Sequence, residues 1–209
     1  MAVVTISRLF GIGGREFGWA LAQRLGYAYL DREILGDLAE KSGSREDTVA
    51  LYEGMPQGPT KLVQDFWHRK FPGARPTIME PVHYTAVLRA VIEEYALRDR
   101  VVIVGRGGQC ILKDHPRAIH LRLIANREHL VRRLATLRRF AGLPETELWR
   151  RSESYRESRR GFVRQHFGCD AEDPLLYHLV MNFSRVTPAE AVEIVAGMVG
   201  RRDSGCRPA

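Results

Sequence analysis

The chain has 209 residues, enough for one α/β domain with a substantial core, and its 44% hydrophobic and 27% charged residues are ordinary for a globular protein. No stretch approaches the ~18 uninterrupted apolar residues of a membrane helix, and no basic segment followed by an apolar run marks a secretory signal. The formal charge is +7 and the pI about 9.7, with arginine supplying 28 of the 32 basic residues.

Three cysteines, Cys110, Cys169 and Cys206, lack metal-type spacing and read as reduced thiols in a cytoplasmic protein. Arginine's planar fork grips phosphate oxygens bidentately, whereas lysine acts as a point charge. The charge balance therefore suits small phosphorylated molecules or a nucleic-acid surface, and an arginine-rich composition alone would also produce it. No lysine tract and no aromatic base-stacking platform favour nucleic acid.

In chain order, residues 3–18 read V-V-T-I-S-R-L-F-G-I-G-G-R-E-F-G. Val3, Val4 and Ile6 suit a buried parallel strand. Gly11, Gly13 and Gly14 then precede a helix over 14–25, which Gly26 stops. Strand, glycine-rich turn and helix N-terminus make an anion site, because the turn aims backbone N–H groups inward and the helix dipole adds positive potential. The nucleotide-binding consensus G-x-x-x-x-G-K-[ST] is not met: Arg8 stands at the first glycine, Gly14 at the lysine and Arg15 at the hydroxyl.

Residues 27–31 (Y-A-Y-L-D) form a second short strand. Asp31 at its carboxyl end either faces a ligand, as in other open α/β sheets, or caps a helix starting near Arg32. Residues 31–98 read as a helical insertion, with short helices over 33–41 and 46–53, a turn-rich linker at 55–59, and a longer helix over 81–97.

Val101-Val102-Ile103-Val104 is the strongest strand signal. Arg106 follows among Gly105, Gly107 and Gly108, placed to grip an anion or to pair with a carboxylate. Residues 118–125 form a fourth strand, in which His120 alternates with apolar neighbours as a core or edge histidine. Basic helices are expected over 126–140 and 144–167. Their opposite charges at helical spacing describe a solvated face, and so many arginines would equally suit a cover closing over phosphates. Residues 177–182 give a fifth strand, 188–199 a helix capped by Thr187, and 202–209 a disordered tail. Five strands alternating with helices predict a parallel sheet covered on both faces.

These segments, together and in this order, resemble the cytidylate kinase-like proteins, a branch of the P-loop nucleoside monophosphate kinases. The resemblance runs from I-S-R-L-F-G-I-G-G-R-E-F-G (6–18) through G-Y-A-Y-L-D (26–31), V-V-I-V-G-R-G (101–107) and H-F-G-C-D-A-E-D-P-L-L-Y-H-L-V-M-N (166–182) to N-F-S-R-V-T-P-A-E-A-V (182–192). It implies a three-layer P-loop NTPase-type α/β fold, one domain over 1–201, with a five-stranded parallel sheet. The 31–98 insertion would bind the monophosphate, and a helical lid would span about 138–168. It also implies transfer of the γ-phosphoryl group of ATP to CMP or dCMP with Mg2+.

On this resemblance Gly11, Gly13 and Gly14 cradle the ATP phosphates, with Ser7, Arg8, Ile12, Arg15 and Glu16 completing the cofactor site. Asp31, Arg106, Glu157 and Asp173 fall on the acceptor side. Arg15, Arg132 and Arg133 are the catalytic cations, joined in the lid by Arg159 or Arg160, whose register two alignments place differently. The resemblance is incomplete. Cytidylate kinases have a loop lysine followed by a hydroxyl residue that reaches magnesium, where this chain has Gly14, Arg15 and Glu16. They have an aspartate where this chain has Gly107. Arg15 or Arg8 would have to replace the lysine charge, and Glu16 would be the metal ligand. Two readings remain open: an active kinase of a pyrimidine nucleoside monophosphate, or a nucleotide-binding regulatory protein without turnover.

Overall fold

A computed structural model of the chain describes residues 2–31 and 81–203. Its centre is a five-stranded sheet of β1 (Val3–Arg8), β2 (Ala28–Leu30), β3 (Val101–Val104), β4 (Ala118–Ile124) and β5 (Leu179–Asn182), in the order β2-β3-β1-β4-β5. All four pairings are parallel, as the near-continuous apolar runs predict. β1 lies between β3 and β4: from β1 the chain goes to the edge strand β2, returns to β3, then crosses β1 to β4 and runs outward to β5. The carboxyl end of β1 is therefore where the strand order reverses, the position at which open α/β sheets bind ligands.

The alternation of side chains along the strands fixes two layers. On one face, Phe17, Leu21 and Ala22 of α1 (Gly14–Leu25) and Val195 and Val199 of the C-terminal helix pack on Val4, Ile6, Val102, Val104 and Leu121. On the other, Leu88, Val91, Ile92 and Ala96 of α2 (Pro81–Leu97) cover Val3, Leu30, Val101 and Ile103. The helix expected over 81–97 is α2. The shorter helices and linker expected within 31–80 lie outside the described residues beyond Asp31. Among the described residues no helix is long and apolar enough to cross a membrane.

Four boundaries differ from expectation, each for a local reason. A single helical turn, α3 (Gly108–Ile111), follows β3 directly and was not anticipated, because glycine at its start reads as a loop. The basic helix α4 stops at Ala135 (Arg127–Ala135), after which Arg138–Phe140 forms a 3-10 turn. Its start is fixed by Asn126, whose side chain accepts from His129 N at 2.9 Å.

The long helix α5 (Glu145–Phe167) ends at left-handed Gly168, and β5 begins only at Leu179, since Pro174–Leu176 forms a 3-10 turn instead. The last helix, α6, continues to Asp203 (Pro188–Asp203), beyond the expected end at 199. Arg202 Nη1 donates to Ala118 O at 2.7 Å, so the start of the expected disordered tail is anchored to the sheet. Thr187 caps α6 as expected, accepting from Glu190 N while the Glu190 carboxylate accepts from Thr187 N.

Candidate functional site

The glycine-rich turn lies at the carboxyl end of β1. Gly11 and Gly13 take left-handed φ values of 78° and 87°, and Gly13 caps α1, accepting from Phe17 N at 3.0 Å. This is the geometry of an anion-binding nest joined to a helix N-terminus. Ile12, 2% exposed, anchors the turn in the core.

Each glycine is required by a specific neighbour. A side chain at Gly11 would overlap Leu134, one at Gly13 would start 2.9 Å from Nη2 of Arg133, and one at Gly14 would start 2.7 Å from Cγ of Arg8. The turn is thus crossed by two arginines from different elements, β1 and α4.

A second left-handed turn ends the adjacent strand β3. Gly105, Arg106 and Gly107 have φ of 83°, 58° and 71°. Arginine in that region is strained, an arrangement that holds a side chain in one direction when its surroundings impose it. A side chain at Gly105 would overlap Nη1 of Arg8, and one at Gly107 would overlap the ring of Phe167 at the end of α5. The absence of an aspartate at 107 has a physical cause here: Phe167 fills its place, and the backbone is left-handed.

Asp31 closes the same crevice beyond β2. It is 1% exposed and accepts from Nε of Arg15 at 2.9 Å and from the Tyr29 hydroxyl at 3.1 Å. The Tyr29 phenol is pushed well above its usual range by burial and by the neighbouring Asp31 charge. Arg15 therefore turns toward Asp31 beyond β2, not over the glycine turn. The role of Asp31 as a cap for a helix near Arg32 falls outside the described residues.

Helix α5 covers the first turn. Tyr155 stacks on Phe10 with ring centroids 3.9 Å apart, Phe140 meets Phe10 edge-on at 6.0 Å, and the Arg139 guanidinium lies 4.8 Å from the Phe10 ring. Arg159 Nη1 donates to Arg8 O at 3.1 Å. Successive helical residues point about 100° apart, so Arg160 faces elsewhere and grips Asp170 through Nε and Nη2 at 3.1 and 2.8 Å. The Arg160 hydrogen bond holds the Asp170 carboxyl far below the ordinary carboxylate range. Of these two arginines of α5, Arg159 is the one brought to the glycine turn.

The remaining expected residues divide. Arg133 Nη2 reaches Glu16 Oε1 at 2.8 Å across the turn, whereas Arg132 faces solvent and pairs with Glu128 one turn away. Glu157 is exposed, and Asp173 caps the 174–176 turn, accepting from Leu175 N at 2.9 Å. Neither is brought to the two turns by any hydrogen bond described. Ser7 is buried and accepts from Arg122 Nη1 at 2.8 Å. Among the described residues no three His, Cys, Asp or Glu side chains cluster to hold a metal ion. Glu16, the carboxylate expected to serve magnesium, is paired with Arg133 at 2.8 Å, and with ligand phosphates it would make a donor set of the kind that ion accepts.

Sequence reasoning missed the network below the turn. Arg122 is 6% exposed and also pairs with Glu172, which accepts from Arg156 Nη2 at 3.0 Å. This joins β1, β4, α5 and the 169–178 segment. The signal was present in Ile119-His120-Leu121-Arg122-Leu123, where charged Arg122 alternates inside a buried strand. His120 is the core histidine expected: Thr5 Oγ1 lies 2.7 Å from its Nδ1, and burial lowers its pKa to about 4.

Sheet order, reversal point and glycine turn define a P-loop kinase-type α/β protein. The chain belongs to the cytidylate kinase-like family, whose model matches residues 3–185. No curated protein sequence matches it. Among solved structures it is similar to an uncharacterized protein from Eubacterium ventriosum (TM-score 0.65, 19% identity, covering 95% of this chain and 98% of that one). It is also similar to a gluconokinase from Sinorhizobium meliloti (TM-score 0.53, 16% identity, 98% and 94%) and a shikimate kinase from Bacteroides thetaiotaomicron (TM-score 0.52, 16% identity, 95% and 98%). At these identities the likeness establishes the fold.

Proposed function

We propose that the chain is an ATP-dependent kinase of a pyrimidine nucleoside monophosphate, CMP or dCMP. One observation carries this: two left-handed glycine turns stand at the carboxyl ends of the neighbouring strands β1 and β3, with arginines converging on them. The β1 turn suits the donor triphosphate, and Arg106 with the Arg15–Asp31 pair suits an acceptor that carries both a phosphate and hydrogen-bonding groups.

In the reaction an oxygen of the acceptor phosphate attacks the γ-phosphorus, its bond to the β–γ bridging oxygen breaks, and ADP leaves. Phosphoryl transfer is mostly positioning and charge neutralisation. The protein's part is to aim backbone N–H groups of the β1 turn, Arg133 and Arg159 at the donor, and Arg106 at the acceptor. Magnesium, when bound with Glu16, neutralises donor charge. The stacking of Tyr155 on Phe10 holds α5 beside the turn.

A second reading, a nucleotide-binding regulatory protein, is favoured by one observation. Arg133 is already neutralised by Glu16, the carboxylate expected to serve the metal. A coupled ADP-release assay with ATP, Mg2+ and a panel of nucleoside monophosphates, shikimate and gluconate separates the readings. The kinase reading expects turnover with CMP or dCMP above every other acceptor. Binding of ATP without turnover on any acceptor would establish the regulatory reading, and turnover confined to a hydroxy acid would overturn both.

A further inference from the structure

The missing loop lysine has a specific counterpart on the other side of the turn. The phosphate-loop consensus places glycine at its first position and lysine just after its last glycine. This chain has Arg8 at the first and Gly14 at the second. In the structure those two departures are one arrangement. Arg8 leaves the last residue of β1 on the α1 face of the sheet, and its Cγ lies 2.7 Å from where a side chain on Gly14 would begin. Its guanidinium ends against Gly105, whose missing side chain would overlap Nη1. A lysine at 14 and an arginine at 8 would compete for the same space.

We infer that Arg8 is the transferred cation of this loop: it replaces the lysine of residue 14 and lies between the donor turn and the acceptor turn. The inference rests on the kinase reading for its substrate and deepens it by assigning the group that faces the transferring phosphoryl. Two features converge on it. Gly14 and Gly105 both lack side chains where the Arg8 side chain runs, which places that side chain between the two turns. Arg159 donates to the Arg8 carbonyl, fixing the backbone from which the side chain springs. An arginine there can contact two phosphate oxygens at once, one from each side, which a lysine cannot do with planar geometry.

The test is titration calorimetry of Mg-ATP and of inorganic tripolyphosphate into the full chain, with thermal melting as a folding control. Arg8→Gln, close in shape and uncharged, should weaken both ligands at least tenfold while melting within a few degrees of the parent. Arg8→Lys should retain most of the tripolyphosphate affinity and lose most of the turnover. The exchange variant Arg8→Gly/Gly14→Lys should recover binding to within about threefold of the parent, while Arg8→Gly alone does not. Binding by Arg8→Gln within twofold of the parent, or an exchange variant as weak as Arg8→Gly, overturns the inference and leaves the kinase reading intact. A parent chain that binds neither ATP nor tripolyphosphate overturns both.

Discussion

The two glycine turns use the same backbone conformation for opposite purposes. Both end adjacent strands and both place residues at φ between 58° and 87°. At residues 11–14 the space left by the missing side chains is taken by Leu134 and by the arginines Arg133 and Arg8, and the turn opens a 12-residue helix. At 105–107 it is taken by the Phe167 ring and the tip of Arg8, and the following helix is a single turn. On the proposed reading, the first turn presents backbone N–H groups to an anion and the second holds one side chain, Arg106, in a fixed direction. A glycine cluster alone does not distinguish these tasks; the residues that fill the glycine's space do.

The largest effect expected from breaking the comparison is at Gly107. Gly107→Asp, which would introduce the aspartate expected from cytidylate kinases, should destabilise by about 3 kcal/mol through left-handed strain plus overpacking on Phe167. Urea unfolding checks this. Pairing it with Phe167→Ala should make the two costs strongly non-additive, and simple additivity would show that Phe167 does not exclude the aspartate.

Arg106→Ala should raise the acceptor KM about 30-fold, the loss of ~2 kcal/mol expected for one charged hydrogen-bonding group. The ATP constant and the melting temperature should change little. Equal loss of stability with unchanged acceptor affinity would make Arg106 a structural residue.

A smaller effect separates the turns from the sheet beneath them. His120 has a folded pKa of about 4, below its ordinary 6.5, so the unfolded chain takes up the proton first. Its contribution to stability is complete above about pH 6.5 and is lost as pH falls toward 4, on the order of 1–2 kcal/mol between pH 7 and 5. His178, also lowered by burial, acts in the same direction. The difference in unfolding free energy between pH 7 and 5 should shrink in His120→Asn, while ATP binding at pH 7 stays within twofold. An unchanged pH difference would contradict this.

The smallest effect lies at Glu16. If its carboxylate serves the magnesium ion, Glu16→Gln should weaken ATP binding a few-fold in Mg2+ and hardly at all in EDTA. Tighter binding without the metal would instead show Glu16 competing with phosphate for Arg133.

Much of this architecture is legible in the sequence, because β-branched runs and left-handed glycines are local signals. Val101–Val104, the turn after β1 and the strand-ending Asp31 fall where the pattern puts them. What escapes is set by long-range packing. Arg159 and Arg160 are indistinguishable in sequence, and only the path of α5 over Phe10 turns one to the loop and the other to Asp170. Arg15 looks like the natural lysine substitute, yet it pairs with Asp31 across 16 residues. The Arg122–Glu172 pair and the Phe167–Gly107 contact join segments 50 or more residues apart, beyond any local periodicity.

The central claim is that residues 11–16 still bind the phosphates of a nucleotide. A crystal structure of the chain with a non-hydrolysable ATP analogue and Mg2+ tests it most directly. The account predicts the β- and γ-phosphates within hydrogen-bond distance of backbone N–H groups of this turn, with the Arg8 guanidinium on the γ-phosphate. Phosphates bound elsewhere, or a saturating analogue that leaves the turn empty, would contradict it.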